Sequence, residues 1–321
     1  MQDQHNRNIN YMRISLTDRC NLRCIYCRPD IAQLVDHSQI LRYEEILRVA
    51  KCAVSLGITR FKITGGEPLV RKGAVYFIAK LKQIEGVEQV TLTTNGTLLE
   101  HHLPQLVAAK IDGINISLDT LNKELYKLIT SVGNINAVLE AVQKAVAPGI
   151  KCKLNCVPLK NLQSKDFLSL VEFAHRLHLP MRFIELMPLA CNEKLLAYSG
   201  SEIRRILVNN EYELEPMQAQ LGNGPAVYYK ASKAGKSQIL GFIEPLHNKF
   251  CASCNRVRLT STGRLKPCLY SESSLDLRQL LRSGADDARI TEALEKAIYA
   301  KPMGHHFEEN PATFSMNEIG G

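Results

Sequence analysis

Three cysteines fall within eight residues of this chain, Cys20-Asn21-Leu22-Arg23-Cys24-Ile25-Tyr26-Cys27, at the spacing C-x3-C-x2-C. Cysteine thiolates hold iron–sulfur clusters, and a four-iron cluster ordinarily takes four of them. Three without a fourth beside them leave one iron open to another molecule. Positions 20, 24 and 27 would also share one helix face, as three packed cysteines would. Pro29 limits any helix here, and Asn21, Arg23 and Arg28 build no apolar face. A disulfide framework is the other ordinary reading, but in a cytosolic enzyme of this size such spacing serves metal or catalysis more often.

A second set follows far along the chain: Cys251, Cys254 and Cys268, spaced C-x2-C-x13-C. It too offers three ligands and no obvious fourth. A zinc site completed by His247 is the rival reading. Arg256 and Arg258 come just after Cys254. Guanidinium forks suit phosphate oxygens, although solvated surface arginines are the plainer alternative. Cys52, Cys152, Cys156 and Cys191 show no such spacing and read as packing or surface residues.

The elements that position these groups alternate. Strand patterns over 11–16, 60–64, 89–94, 113–117, 151–157 and 181–186 are separated by helical patterns over 43–56, 75–85, 99–109, 123–147 (broken near Gly133) and 166–177. Gly57, Gly86 and Gly149 stand where helix C-terminal glycines belong. Repeated βα units imply a parallel sheet covered by helices, and six of them suit an open, partial barrel. Beyond about 190 come a helix near 201–210, a turn-rich linker at 221–226 and short strands near 227–230 and 239–243. The expected division is 1–220 and 221–321.

Side chains alternate faces along a strand. Met12, Ile14, Phe61, Ile63, Leu92, Ile114, Ile116, Cys152, Leu154 and Cys156 take the helix-covered face. Arg13, Lys62, Thr91, Thr93, Asn115, Lys151, Lys153 and Asn155 then face the lumen. A closed barrel normally fills its lumen with branched apolar side chains. Cations there would be costly without an anionic ligand. The loops after the strands carry Thr64-Gly65-Gly66-Glu67-Pro68, Thr94-Asn95-Gly96, Ser117-Leu118-Asp119 and Glu185-Leu186-Met187-Pro188, as expected of a site on the C-terminal rim.

The chain has 321 residues, 45% hydrophobic and 22% charged, which is enough to bury a core. It has no apolar run of about 18 residues, so no membrane helix is expected. The polar stretch Met1–Arg7 is unlike a signal peptide, and a cytoplasmic protein with reduced cysteines is the expectation. A net charge of +8 suits an anionic partner without choosing among nucleic acid, nucleotide and phosphate ester.

The first cysteine motif with its flanks resembles the radical S-adenosylmethionine (SAM) superfamily. That resemblance implies a partial (β/α)6 TIM-like barrel of the radical SAM type. It also implies a four-iron cluster on Cys20, Cys24 and Cys27 with SAM on the open iron. Tyr26 and Met187 would contact the adenine, Gly66 the amino group and Ser117 the methionine moiety. Adding the second cysteine set, Asn255-Arg256-Val257-Arg258 and the closing Gly320-Gly321, the chain resembles the MoaA family of GTP 3′,8-cyclases over nearly its whole length. This implies a C-terminal extension with a second 4Fe-4S cluster on Cys251, Cys254 and Cys268, open to the guanine of GTP. Arg13, Lys62, Thr93, Lys153, Arg256, Val257 and Arg258 would hold GTP, and Arg258, Gly320 and Gly321 would serve catalysis, the glycines threading into the site. An adenosyl radical would take the ribose 3′-hydrogen, and ring closure onto C8 would follow. Implied partners are a one-electron donor such as flavodoxin, a downstream cyclic pyranopterin monophosphate synthase and a homodimer mate, with no membrane and no nucleic acid.

The chain departs from the family pattern at Lys62, where arginine is usual, at Arg28, where methionine is usual, and in having no tryptophan. A peptide-modifying radical enzyme with an auxiliary cluster, or a zinc module binding nucleic acid, are the alternatives.

Overall fold

The computed structural model describes residues 1–27, 35–189, 192, 194–219, 221–271, 274–307, 309 and 314–320. Arg28, Cys191 and Gly321 lie outside the described residues.

The first half alternates as its periodicity requires. Strands β1 (Tyr11–Ser15), β2 (Arg60–Thr64), β3 (Gln89–Thr94), β4 (Gly113–Ser117), β5 (Cys152–Cys156) and β6 (Met181–Ile184) are separated by α1 (Tyr43–Ser55), α2 (Ala74–Lys82), α3 (Leu99–Ala108), α4 (Lys123–Thr130), α5 (Ile135–Val146) and α6 (Ser164–Arg176). The helical stretch after β4 breaks where Gly133 suggested, and Asn134 caps the second piece by accepting from the Asn136 amide. Gly57, Gly86 and Gly149 have φ of 84°, 86° and 74°, the left-handed conformation that ends helices.

The second half adds α7 (Gly200–Asn209), β7 (Glu213–Met217), β8 (Val227–Lys233), β9 (Lys236–Ile243), β10 (Arg256–Leu259), β11 (Arg264–Lys266), β12 (Leu275–Asp276), α8 (Leu277–Arg282), α9 (Asp287–Tyr299) and α10 (Met316–Ile319). The twelve strands among the described residues form one sheet, ordered β12-β11-β10-β1-β2-β3-β4-β5-β6-β9-β8-β7. The expected six parallel strands are thus flanked by two more: β10 runs parallel to β1, and β9 parallel to β6. Residues from β10, β1 to β6 and β9 line one cavity, so this parallel run curls around it. The outer face packs under the helices, with Phe61, Phe77, Phe167, Phe183 and Phe242 wholly buried. Among the described residues no helix is long and apolar enough to cross a membrane.

Candidate active site

The first cysteine loop leaves β1 and docks on the end of α4, where the Arg23 amide donates to Thr130 O and the Ile25 amide to Ile129 O, both at 3.0 Å. Cys20 Sγ accepts from the Leu22 amide at 3.3 Å and from Asn95 Nδ2 at 3.7 Å. Cys20, Cys24 and Cys27 all reach the wall of the upper cavity. Burial, then the neighbouring Cys27, Asp119 and Cys20, push the Cys24 thiol well above its ordinary pKa.

Gly66 lies flat against this loop: its amide donates to Thr17 O at 2.7 Å, and a Cβ would stand 2.4 Å from Arg19 O. Only glycine permits that approach. Glu67, in the same rim loop, is fully buried and engaged. Oε1 accepts from the Leu69 amide and Thr94 Oγ1, and Oε2 from the Asn95 amide at 2.7 Å. Burial pushes its pKa up to about 7 against those hydrogen bonds. It holds the β2 and β3 loops together. Glu67→Gln turns an NH2 toward a donor, which costs about 1–3 kcal/mol. The expected results are a lower Tm and less iron retained at the first site, read by thermal melts and iron assay.

Tyr26, Gly66, Ser117 and Met187 line the same cavity as the first cysteines. Tyr26 OH donates to Asp119 Oδ2 at 2.8 Å, and Asp119 Oδ1 accepts from the Val157 amide at 2.8 Å. Burial lifts Asp119 to about 6, against both hydrogen bonds. Buried Asn192 donates through Nδ2 to Tyr26 O and Met187 O, both at 3.1 Å, and so fixes the distance between them.

Below this lies the cationic lumen. Strand register sets Arg258 beside Arg13 and Arg13 beside Lys62. Arg182 is 6% exposed and donates from Nε to Asn155 Oδ1 at 2.9 Å. Burial, then Arg182, Arg13, Lys153 and Arg256, drive Lys62 well below the usual lysine range. Burial, then Arg182 and Lys151, lower Lys153 to about 8. Arg258 is lowered by burial and then by Arg13 and Arg256. Arg13 Nε is buried with no hydrogen-bond partner among the described residues. Thr93 lines the upper cavity. Lys153 lines a larger one, about 930 Å³ against about 260 Å³, toward the N-terminal ends of the strands. Tyr11, Lys62, Asn115 and Arg182 border both. Val257 pairs with Met12, and its side chain is buried in the core, so only its backbone faces this way.

Cys251, Cys254 and Cys268 lie beyond β10 and β11. Arg256 Nη2 donates to Cys254 Sγ at 3.4 Å, while its guanidinium sits 4.7 Å from the centre of the Phe250 ring. Against burial, which raises it, Arg256 and Lys301 bring Cys254 down to about 6. His247 turns its Nδ1 to Glu185 Oε1. Among the described residues no three or more His, Cys, Asp or Glu side chains gather as the ligands of one metal ion. Gly320 sits over the C-terminal ends of β1 and β2, and Arg258 Nη1 donates to its carbonyl at 2.7 Å.

Arg182, Tyr11, Asn192 and Lys301 escaped the sequence reading. Arg182 lies between Met181 and Phe183 on a recognised strand, so the alternation that exposed Arg13 would also have found it. Asn192 and Lys301 carry no local pattern.

The Radical SAM superfamily model matches residues 14–174, and the Molybdenum Cofactor Synthesis C model matches 179–307. The chain is 42% identical over 326 residues to a GTP 3′,8-cyclase of Thermodesulfovibrio yellowstonii, covering all of both chains. The chain belongs to the GTP 3′,8-cyclase family of radical SAM enzymes. A second member, from Moorella thermoacetica, is 41% identical over 325 residues, again with full coverage of both. The fold is shared with Streptococcus suis SuiB bound to its precursor peptide SuiA: TM-score 0.65, 16% identity, 97% of this chain and 76% of that one. Membership in the radical SAM superfamily implies one four-iron cluster and SAM. The residues fit both. Three thiols open on one cavity, the donor set of a cluster with an exchangeable iron. The glycine, serine and aromatic groups beside them line the same space.

Proposed function

We propose that this chain converts GTP to 3′,8-cyclo-7,8-dihydro-GTP, the first step of molybdenum cofactor formation. The observation that carries the reading is the buried cationic lumen beneath the first cysteine triad, linked to the second through Arg256, in which Arg13 Nε has no hydrogen-bond partner among the described residues. A peptide has no need of so much positive charge. A triphosphate satisfies it, and the family's full-length relatives bear the name of that activity.

In this reading Cys20, Cys24 and Cys27 hold the first cluster, and Cys251, Cys254 and Cys268 a second. Bound cluster and SAM supply a carbon radical able to take a ribose hydrogen. The protein's own residues bind, orient and exclude water. Tyr26 and Met187, held by Asn192, frame the adenine, while Gly66 and Ser117 receive the methionine end. Arg13, Lys62, Lys153 and Arg258, with Arg182, take the triphosphate, and Thr93 and Val257 contribute from the wall. Arg256 bridges the lumen and the second cysteine set. Arg258 holds Gly320, and with it the 316–320 segment, over the reacting nucleotide. An external one-electron donor, a downstream synthase taking the product, a homodimer mate and a cytoplasmic setting complete the reading.

Anaerobic protein given GTP, SAM and a one-electron reductant such as dithionite is expected to form 5′-deoxyadenosine and the cyclised nucleotide together. Deoxyadenosine appearing only with another substrate would overturn the reading. The lumen also predicts a pH dependence. Lys153 has a folded pKa near 8, below its unfolded value, so the free protein gains stability as pH rises from about 8 toward 10.5, where only the unfolded chain still holds the proton. GTP binding favours the charged amine. GTP affinity should therefore fall as pH rises through about 8, measured by equilibrium binding without SAM.

A further inference from the structure

Lys301 follows α9 and is 1% exposed. Its Nζ donates to the Arg256 carbonyl at 2.8 Å and to the Pro267 carbonyl. Those carbonyls belong to the two separate segments that bring in the second cysteine set. Arg256 comes two residues after Cys254, and Pro267 immediately precedes Cys268. The opposite charges that act on Lys301 most are Cys254 and Cys268, while Arg7 and Arg256 repel it. A buried ammonium without a compensating charge is costly, and two carbonyl dipoles offset only part of that cost.

The remaining cysteine is tied to the same point. Arg7, 7% exposed, donates through Nη1 to Cys251 O and Met303 O, both at 2.9 Å, and through Nη2 to Pro302 O at 2.7 Å and Lys301 O at 3.3 Å. Its own charge is met by Asp3, whose Oδ2 accepts from Nε at 2.7 Å. Arg7 therefore has its carboxylate within the fold, and Lys301 has the thiols.

We propose that Lys301 is the positioning residue of the second metal centre: it ties the Cys254 and Cys268 segments into one geometry, and its charge offsets that of their thiolates. Arg7 anchors Cys251 to the same 301–303 segment. This rests on the reading that Cys251, Cys254 and Cys268 hold a cluster. A buried cation without a carboxylate of its own, placed this way, favours an anionic centre and raises its reduction potential.

The test compares Lys301→Met, which removes both the hydrogen bonds and the charge, with Lys301→Gln, which keeps donors and removes only the charge. Iron and sulfide are counted after anaerobic reconstitution. The potential of the second cluster is read by paramagnetic resonance in protein whose Cys24 is replaced by Ser. Wild type is expected to hold about eight irons and Lys301→Met about four, all at the first site. Lys301→Gln is expected to keep about eight with a more negative second potential, a shift that a merely structural lysine would not produce. About eight irons and an unchanged potential in Lys301→Met would overturn the inference while leaving the two-cluster reading intact. If Lys301→Met does not fold, a wild-type potential in Lys301→Gln overturns it instead. About four irons in wild type would remove the two-cluster reading itself, and this inference with it.

Discussion

Gly320→Ala is expected to retain full iron content and SAM cleavage while forming cyclised nucleotide at least about 100-fold more slowly. Gly320 has φ of 79°, and an added Cβ would stand 2.6 Å from Thr64 Oγ1 and 2.9 Å from Ser15 Cβ. Ser15 Cβ cannot retreat, because it is fixed to the backbone of β1, which pairs with β2 in register from Tyr11↔Arg60 to Ser15↔Thr64. The segment must lift instead, and with it the carbonyl that Arg258 holds. A displacement of about 1 Å at a reacting centre is enough for a loss of about 100-fold. Both cysteine sets lie on other segments, so iron, sulfide and deoxyadenosine yield serve as internal controls. Unimpaired cyclisation in this variant would remove the 316–320 segment from the site.

Lys62→Met is expected to weaken GTP binding by about 100-fold and, in the same protein without nucleotide, to raise Tm. Strand register rather than attraction sets Lys62 beside Arg13, and its pKa is driven down by burial first and by Arg182, Arg13 and Lys153 next. Removing one of several crowded like charges relieves the free protein, because burial and the neighbouring cations both work against the Lys62 charge. The same deletion leaves a phosphate oxygen short of a partner, a loss of about 2–5 kcal/mol for a desolvated charge pair. Calorimetric binding and melting curves under nitrogen measure the two effects separately. A variant that binds GTP as wild type does, or melts lower without it, would contradict this account of the lumen.

Much of this was legible in the sequence because strands and helices write their periods locally. The six strands of the first half, the helix break at Gly133 and the inward set of Arg13, Lys62, Thr93 and Lys153 all follow from alternation. Strands β10 to β12 did not, because they are short and embedded among cysteines, and β10 is placed in the sheet by long-range pairing with β1 on one side and by β11 on the other. That pairing is what turns Arg256 and Arg258 from a surface pair into neighbours of Tyr11 and Arg13. The structural part played by Glu67 was hidden for a related reason: donors to it come from another loop, at Thr94 and Asn95. Asn192 and Lys301 act on carbonyls far away in sequence, and no spacing rule reports such contacts.

The placement of β10 and β9 also bears on how the molecule is made. Both flanks of the six-strand core are closed by segments translated late, residues 236–243 on one side and 256–259 on the other. A nascent chain released only as far as β6 has two bare parallel edges, the state most prone to pairing with other chains. Supplying iron before those segments emerge would load three thiols beside an unfinished wall. Expression conditions that slow synthesis are therefore expected to give more aggregate and less correctly metallated protein, whatever the iron supply.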